Sequence, residues 1–388
     1  QLFDQNFSAI TLDRNNETLT RVQRVPVQVI GFSGQWMRVV GATQTLVAGL
    51  EGREVRGSSD ELAFVNGRAT SFADAGGRER GIGGYVEDVI NVHARLFVNL
   101  GMRLDHWRNF SGFTATRPIA SEVTNRLSFI DRTESAFSPH LSALFKANDR
   151  VSVTAAVFRA FRAPTLNELY RSFRVGNVLT LANEQLRAER LTGGETGARV
   201  MFDDRFSLRA TLFWNGINRP VANVTLQTTP ALITRQRQNL GRTRSRGLEL
   251  QLETTYKRHF RFSSGYLFAD ATVVKFPANT ALEGRLIPQV ARHQLTFQSY
   301  FDNPSQISVG VQARASSAQF DDDQNIFHLA PYFTMDAFVS RRLNRKVELF
   351  VAVENLLNGR YEIGKTPATT VGPPILFRGG LRLRLGTR

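Results

Sequence analysis

The stretch RFSLRATLFW, residues 205–214, alternates apolar and polar side chains over most of its length. Successive side chains of an extended strand point to opposite faces, so this stretch would have one apolar and one polar face. The apolar face would carry Phe206, Leu208, Ala210, Leu212 and Trp214, and the polar face Arg205, Ser207, Arg209 and Thr211. Such a strand separates an apolar environment from water, and this requirement decides the fold class.

The same two-residue period recurs in GLELQLE (residues 247–253), QISVGVQARA (306–315) and LRLRLG (381–386). Helical periodicity is hard to find anywhere in the chain, so the pattern predicts an antiparallel, all-β protein. In the first of these stretches the apolar side chains should face away from the interior and the polar ones into it. The former are Leu248, Leu250 and Leu252, and the latter are Glu249, Gln251 and Glu253.

The connections between predicted strands alternate between two lengths. Tight turns are expected near Gly41 and at residues 90–94, 146–150, 202–206, 256–260, 301–305 and 342–346. Long loops are expected at residues 52–78, 106–135, 162–190, 218–231, 272–289, 316–330 and 360–372. This sorting is typical of outer-membrane barrels, which have short periplasmic turns and long extracellular loops. We therefore predict a transmembrane antiparallel β-barrel meander of roughly 16 strands, with a soluble all-β array as the alternative.

Composition limits the other classes of protein. The 388 residues contain no cysteine, which excludes a disulfide framework, and no apolar run long enough for a membrane-spanning helix. The net charge of +15 is carried almost wholly by arginine and would also suit a nucleic-acid-binding protein, but the apolar strand faces argue against that hypothesis. The first residues lack signal-peptide features, so any targeting segment is expected outside this sequence.

Several stretches resemble the β-barrel of TonB-dependent receptors, which are energised outer-membrane transporters. These are GIGGYVEDVINVHARLFVNLGMRLDHW (residues 81–107), FRAFRAPTLNELYR (158–171), ANEQLRAERLTGGETG (182–197), NLGRTRSRGLELQLE (239–253) and VENLLNGRYE (353–362). The family's Asn-Pro is Asn183-Glu184 here, and its C-terminal aromatic residue is absent. The family's barrel has about 22 strands, so the resemblance implies that residues 1–388 are the barrel portion of a longer receptor, without its plug domain and first strands.

The resemblance implies transport of a scarce ligand, such as a ferric siderophore or cobalamin, across the cell outer membrane. The expected partners are the energy-coupling TonB–ExbB–ExbD complex, outer-membrane lipids including lipopolysaccharide, and the small-molecule ligand. Nucleic acid is not expected as a partner. The alternative function is that of a passive porin. No catalytic constellation and no cofactor motif is found, so an enzyme is not expected.

Candidate ligand contacts are all arginines. Arg171 and Arg174 follow the segment RAPTLNELY, although Leu166, Leu169 and Tyr170 of this segment could instead pack a short helical turn against the barrel mouth. Six more arginines are expected on the lumenal wall, to bind an anionic substrate or to pair with carboxylates such as Glu249 and Glu348: Arg95, Arg103, Arg209, Arg314, Arg382 and Arg384. Asp321, Asp322 and Asp323 are a possible Ca²⁺ site, with a solvated loop as the alternative.

Overall fold

The structure is a computed structural model that describes residues 1–13, 16–257, 259–303, 307–344 and 346–384. Its first half contains β1 (Leu2–Asp13), β2 (Asn16–Val40), β3 (Gln44–Val65), β4 (Arg68–His93), β5 (Leu96–Pro118), β6 (Asn125–Ser128), β7 (Arg132–Lys146), β8 (Val151–Arg162), α1 (Leu166–Tyr170), β9 (Phe173–Val175), β10 (Val178–Leu181), β11 (Glu189–Met201) and β12 (Phe206–Asn218).

Its second half contains β13 (Val221–Thr228), β14 (Ile233–Asn239), β15 (Arg242–Tyr256), β16 (Phe260–Lys275), a 3-10 helix (Thr280–Leu282), β17 (His293–Asn303), β18 (Ile307–Ser316), β19 (Gln319–Phe320), β20 (His328–Leu329), β21 (Tyr332–Arg342), β22 (Val347–Glu354), β23 (Glu362–Gly364), β24 (Thr370–Val371) and β25 (Leu376–Leu383). Neither helix of the described ranges has the length and hydropathy that crossing a membrane requires.

One 17-stranded antiparallel sheet forms the wall. Setting aside β6, a four-residue strand beside β5, sixteen strands remain, and each pairs with the next wall strand along the chain. This confirms the predicted meander. Within the described residues, β1 pairs only with β2 and β25 only with β22, so these two strands do not close the sheet on each other.

Exposure along β5 identifies the two faces of the wall. Asp105, Trp107 and Asn109 are buried, whereas Leu104 and Arg108, which alternate with them, are exposed. Trp107 packs against Leu169 and Tyr170 of α1 and against Leu186, because the long loops fold back over this face. We call this covered face the inner face and the other the outer face.

The predicted orientation of residues 248–253 is confirmed. Leu248 lies opposite Leu212 and Phe268, whereas Glu249 lies opposite Thr211 and Leu267. On β16 the positions that share a face with Glu249 include Ala269, Ala271 and Val273, which are buried beneath the loop after that strand. The carboxylates and Gln251 are therefore on the inner face, and the three leucines are on the outer face.

The predicted loop at residues 52–78 is wrong. β3 and β4 run through it and meet at the two-residue turn Asn66–Gly67, whose φ angles of 50° and 74° are left-handed. Asn-Gly is the preferred sequence for such a hairpin turn, and this signal was present in the sequence. With 22 and 26 residues, these strands are more than twice as long as the roughly 10 residues that cross a bilayer, so the hairpin extends beyond the membrane.

Other predicted connections are shorter than expected or lie partly outside the described ranges. The loop at 106–135 shrinks to residues 119–131, and the turn after β4 is Ala94–Arg95 rather than residues 90–94. Residues 258, 304–306 and 345, within or beside three of the predicted turns, lie outside the described residues, as does Leu385 of LRLRLG.

Candidate ligand-entry site

The segment after β8 forms a short helix because its ends are satisfied locally. Thr165 accepts a hydrogen bond from the Glu168 N–H at 3.2 Å, and Glu168 accepts one from the Thr165 N–H at 2.8 Å, which together make a capping box. Leu169 and Tyr170 are buried against Trp107 of β5 and against Leu186. The predicted packing of this segment against the barrel is therefore confirmed.

Glycines in the wall make room for α1. A Cβ atom added to Gly112 of β5 would overlap the Tyr170 ring, and one added to Gly77 of β4 would lie 3.0 Å from the same ring. The aromatic ring of Phe129 stacks on that of Tyr170, with the ring centres 5.2 Å apart. The aromatic ring thus sits directly on the strand backbone, and this close approach fixes α1 to the inner face.

An ion-pair network holds the start of α1 to the adjacent ends of β8 and β11. Arg162, the last residue of β8, donates hydrogen bonds to Glu168 at 2.9 Å and to Glu189 of β11 at 2.5 Å. Burial opposes ionisation of Glu168, but the hydrogen bonds from Arg162 and from Thr165 outweigh this effect and lower its pKa. The Glu168 carboxylate is therefore charged and holds two elements together.

A small second sheet covers the inner face beside α1. Its strands lie in the order β13, β14, β10, β9, and β10 runs parallel to β14. We call it the loop sheet, because its strands come from the two long loops after β8 and β12. Arg237 of β14 is buried and donates hydrogen bonds to the carbonyl oxygens of Asn167 at 2.6 Å and Arg171 at 3.0 Å, which ties this sheet to α1.

The two arginines predicted after α1 have different environments. Arg171 donates a hydrogen bond to Glu61 of β3 at 2.7 Å, and Arg21 of β2 reaches the same carboxylate at 3.5 Å. Arg174 on β9 is exposed, and its Nε–H donates to the carbonyl oxygen of Gly176. The guanidinium of Arg171 therefore anchors the loop to the wall, whereas that of Arg174 faces solvent.

A cavity of about 820 Å³ lies between α1, β9 and the inner face of β1 to β4. Its polar lining includes Arg21, Gln23, Arg53, Ser59, Glu79 and Arg171. Several apolar side chains of β2 and β3 complete it, among them Val25, Val27 and Val55. We call this cavity, which lies below the loops and against the wall, the chamber.

The aspartates predicted as a possible calcium site are engaged with other loops. Asp321 accepts hydrogen bonds from the Lys365 and Thr366 N–H groups, each at 2.8 Å, and from Gln289 at 2.8 Å. Asp323 accepts bonds from the N–H and hydroxyl of Thr225 at 2.8 and 2.6 Å. The segment 321–323 therefore links three long loops to its own.

The alternative of a solvated loop is wrong for two of these aspartates. Asp321 and Asp322 are only 8% and 6% exposed. Asp322 accepts hydrogen bonds from the N–H groups of Gln324, Ile326 and Phe327, which closes its own loop. In the described part of the chain, no group of three or more His, Cys, Asp or Glu side chains has an arrangement that could hold a metal ion.

The six predicted wall arginines fall into three groups. Arg95 is not on the wall, because it lies in the turn between β4 and β5, where it donates to the Ala147 carbonyl oxygen. Arg209 and Arg314 are exposed on the inner face, and neither has a carboxylate partner among the described residues. The remaining three pair with carboxylates: Arg103 with Glu51 and Asp105, and Arg382 and Arg384 with Glu348.

The sequence patterns do not indicate which residues form hydrogen bonds with the long loops that fold over the wall. Glu61 lies within a stretch predicted as a loop, and it binds Arg171, which is 110 positions away in the chain. Arg237 lies in the polar run RQRQN, which carries no sign of burial. Asn183, which donates to the Arg237 carbonyl oxygen at 2.9 Å, was noted only as a departure from a motif.

Comparison with known proteins gives consistent matches. Residues 2–356 match the family model described as TonB dependent receptor-like, beta-barrel. The chain is 22% identical over 286 residues to the probable TonB-dependent receptor BfrD of Bordetella pertussis, covering 71% of this chain and 37% of that protein. It is also 22% identical over 288 residues to the probable TonB-dependent siderophore receptor PiuA of Acinetobacter baumannii, covering 71% and 36%.

Solved structures share the fold. The ferric yersiniabactin uptake receptor FyuA of Yersinia pestis superposes with a TM-score of 0.74 at 14% identity, over 98% of this chain and 57% of that one. The closed form of the ferric-catecholate import receptor Fiu of E. coli gives 0.71 at 18% identity, over 98% and 60%. The chain thus spans little more than a third of the length of the two curated relatives named above.

Proposed function

Because the chain belongs to the TonB-dependent receptor-like β-barrel family, we propose that it is the barrel portion of an outer-membrane receptor that imports a scarce small-molecule ligand into the periplasm. The observation that carries the proposal is the convergence of α1 and the loop sheet on the inner face, above a chamber with arginine in its lining. Ferric siderophores and cobalamin are the ligand classes we favour, and relatives named as siderophore receptors support the former.

The rest of the receptor would lie outside residues 1–388. A plug domain and the first barrel strands would complete the protein, and an N-terminal segment would contact the TonB–ExbB–ExbD complex that supplies energy. Within the described residues, the outer edges of β1 and β25 have no partner strand, which supports this arrangement because an open sheet edge leaves N–H and C=O groups without partners in lipid. Additional strands between these edges would satisfy them.

Ligand contacts are assigned to the arginines that have no carboxylate partner in the described residues. Arg174 lies on the loop sheet, and Arg209 and Arg314 lie on the inner wall, so all three contact a ligand outside the chamber, whose own arginines are paired with carboxylates. A guanidinium binds carboxylate or phosphate oxygens through paired hydrogen bonds, so these positions suit an anionic ligand. Arg171, Arg103, Arg382 and Arg384 would instead hold the loops and neighbouring strands in place.

A passive porin remains the alternative function, and two observations count against it. A closed 16-strand pore would pair its first strand with its last, and β1 and β25 do not pair within the described residues. A porin also needs an open channel, whereas here α1 and the loop sheet cover part of the inner face.

Uptake measurements with the complete receptor test the proposal. Iron-starved cells that carry the gene should accumulate a radiolabelled ferric siderophore from a panel of several chemical classes, and cells without the gene should not. The same uptake should disappear in cells that lack TonB. Uptake of a small solute that persists without TonB would contradict the proposal and support the porin.

Outer-membrane lipids, including lipopolysaccharide, are the remaining proposed partners. The outer face presents exposed apolar side chains that match a lipid environment, among them Phe32, Leu50, Ile82, Met102 and Leu104. The arginines beyond this apolar band would meet the phosphate groups of the lipids.

A further inference from the structure

The inner face of β2 and β3 presents apolar side chains to the chamber. Val25, Val27 and Val29 follow the strand alternation along β2, and Val55 lies directly opposite Val29 on β3. We call these four residues the valine stripe. An inner-face apolar residue elsewhere, Val273, is buried beneath a loop, whereas the valine stripe is only partly buried and borders the chamber. A ligand that enters this cavity of about 820 Å³ would remove the apolar surface of the stripe from water.

Apolar side chains also line the chamber from the loop side. Leu166 of α1 and Phe173 of β9 are part of its lining. The Phe173 ring lies beside two guanidinium groups, with the central carbons of Arg171 and Arg237 at 5.1 and 5.3 Å from the ring centre. Both arginines are anchored, Arg171 by Glu61 and Arg237 by backbone carbonyl oxygens. The ring is therefore held in place, and the chamber has an apolar surface on both its wall side and its loop side.

The cationic groups of the chamber already have anionic partners. Arg171 donates a hydrogen bond to Glu61 at 2.7 Å, and Arg21 lies 3.5 Å from the same carboxylate. Arg53 pairs with Glu79 at 3.3 Å. An anionic ligand group would have to displace one of these carboxylates, and a partly buried carboxylate that loses its partner is strongly destabilising. The chamber is therefore a poor site for an anionic group.

Two neutral polar groups of the chamber are satisfied by the protein as well. The Gln23 side-chain amide donates a hydrogen bond to the Ser59 hydroxyl at 2.9 Å, and that hydroxyl donates one to Glu61 at 3.2 Å. Gln23 and Ser59 are both buried. A ligand that hydrogen-bonds to them would have to break these bonds, so the exchange would give little net affinity. Displacing water from the valine stripe and from Phe173 has no such cost, and an apolar group therefore gains most from entering the chamber.

We propose that the chamber binds an aliphatic chain of the imported ligand, and that the substrates of the receptor are acylated, amphiphilic ferric siderophores. This inference rests on the proposed function, whose arginine contacts lie outside the chamber. Arg174 is exposed between Phe173 and Val175 on β9, so the anionic part of such a ligand can stay at the loop sheet while its chain extends along the valine stripe. Each CH₂ group that the chamber buries should strengthen binding roughly fourfold.

The first test measures uptake by iron-starved cells that carry the complete receptor and are supplied with pairs of radiolabelled ferric siderophores. The two members of each pair share one chelating group, which is a hydroxamate, a catecholate or a hydroxycarboxylate, and only one member carries an octanoyl chain. In an imported pair, the acylated member should have a KM at least about tenfold lower than its partner, since burial of about two CH₂ groups suffices for this ratio. Equal KM values, or a lower KM for the member without the chain, would overturn the inference. If no pair is imported in a manner that depends on TonB, the proposed function is wrong as well.

Substitutions in the valine stripe provide the second test. Val27→Thr/Val55→Thr introduces two hydroxyl groups with little change in side-chain shape. The KM of the acylated member should rise by at least about fivefold, because burying an unpaired hydroxyl against an acyl chain is unfavourable, while the KM of the member without the chain should stay the same. Val65→Thr is the matched control and should change neither KM, because Val65 is exposed beside the Asn66–Gly67 turn, roughly 33 Å from Val55 along β3. A parallel rise for both members in the double variant, or no rise for the acylated one, would place the chain outside the chamber and overturn the proposal.

Discussion

At the scale of single residues, Asp321 joins more separate loops than any other aspartate of its segment. Replacing it with alanine should leave the partly buried N–H groups of Lys365 and Thr366 without this acceptor, at up to about 1–3 kcal/mol for each unsatisfied group. Hydrogen–deuterium exchange of the complete receptor should then accelerate around residues 365–366. Asp204→Ala, in an exposed turn, is the control and should change nothing there. Unchanged protection in the Asp321 variant would show that the aspartate does not hold the loop.

The same residue predicts a pH dependence. Burial opposes ionisation of Asp321, but the hydrogen bonds from Gln289, Lys365 and Thr366 outweigh it, so its pKa in the folded protein is lower than in the unfolded chain. Its contribution is therefore present above the unfolded value of about 3.9 and is lost as the pH falls through the folded pKa. Protection at Thr366, corrected for intrinsic exchange rates, should decrease below about pH 4. In Asp321→Asn, which has no titrating group at this position, the protection should not follow pH in this range.

At the scale of elements, α1 depends on glycine in the wall beneath it. Gly112→Ala should displace the Tyr170 ring from the backbone of β5. It should lower the free energy of unfolding by about 1–3 kcal/mol, as overpacking of a close contact typically does. Gly81→Ala on the neighbouring strand is the matched control, because an added Cβ there meets no atom within 4 Å. Emission from Trp107, measured with Trp36 and Trp214 replaced by Phe, should shift to longer wavelength only in the first variant. Identical emission spectra for both alanine variants would show that the contact between Gly112 and Tyr170 does not hold α1 in place.

Elements also show what could be predicted from the sequence. The wall strands and their inner and outer faces follow from a two-residue period that is local, so Leu248 and Glu249 could be assigned to faces without knowing any neighbour. The length of β3 and β4 does not follow from this period, because polar and small residues in this stretch favour a loop, although Asn66–Gly67 signals a hairpin. In β5, which has 23 residues, exposure nevertheless alternates from Leu100 to Asn109.

At the scale of the whole molecule, the candidate site could not be predicted in the same way. Arg171 and Glu61 meet across 110 positions, and Asp323 and Thr225 across 98, so these contacts depend on how loops fold over the wall. No local pattern distinguishes Arg171, which is anchored, from Arg174, which is exposed. Family resemblance located the segment around α1, and only the three-dimensional arrangement separated its structural residues from those free to contact a ligand.

The orientation of the barrel in the membrane is the central claim, and cysteine labelling of intact cells tests it most directly. The described chain has no cysteine, so in a complete receptor without other cysteines a single one reports one position. Val175→Cys, on the exposed edge of the loop sheet, should react with a membrane-impermeant maleimide from outside the cell. Asp204→Cys, in the turn between β11 and β12, should react only after the outer membrane is permeabilised. Equal labelling of both positions in intact cells, or labelling of Asp204→Cys alone, would contradict the account.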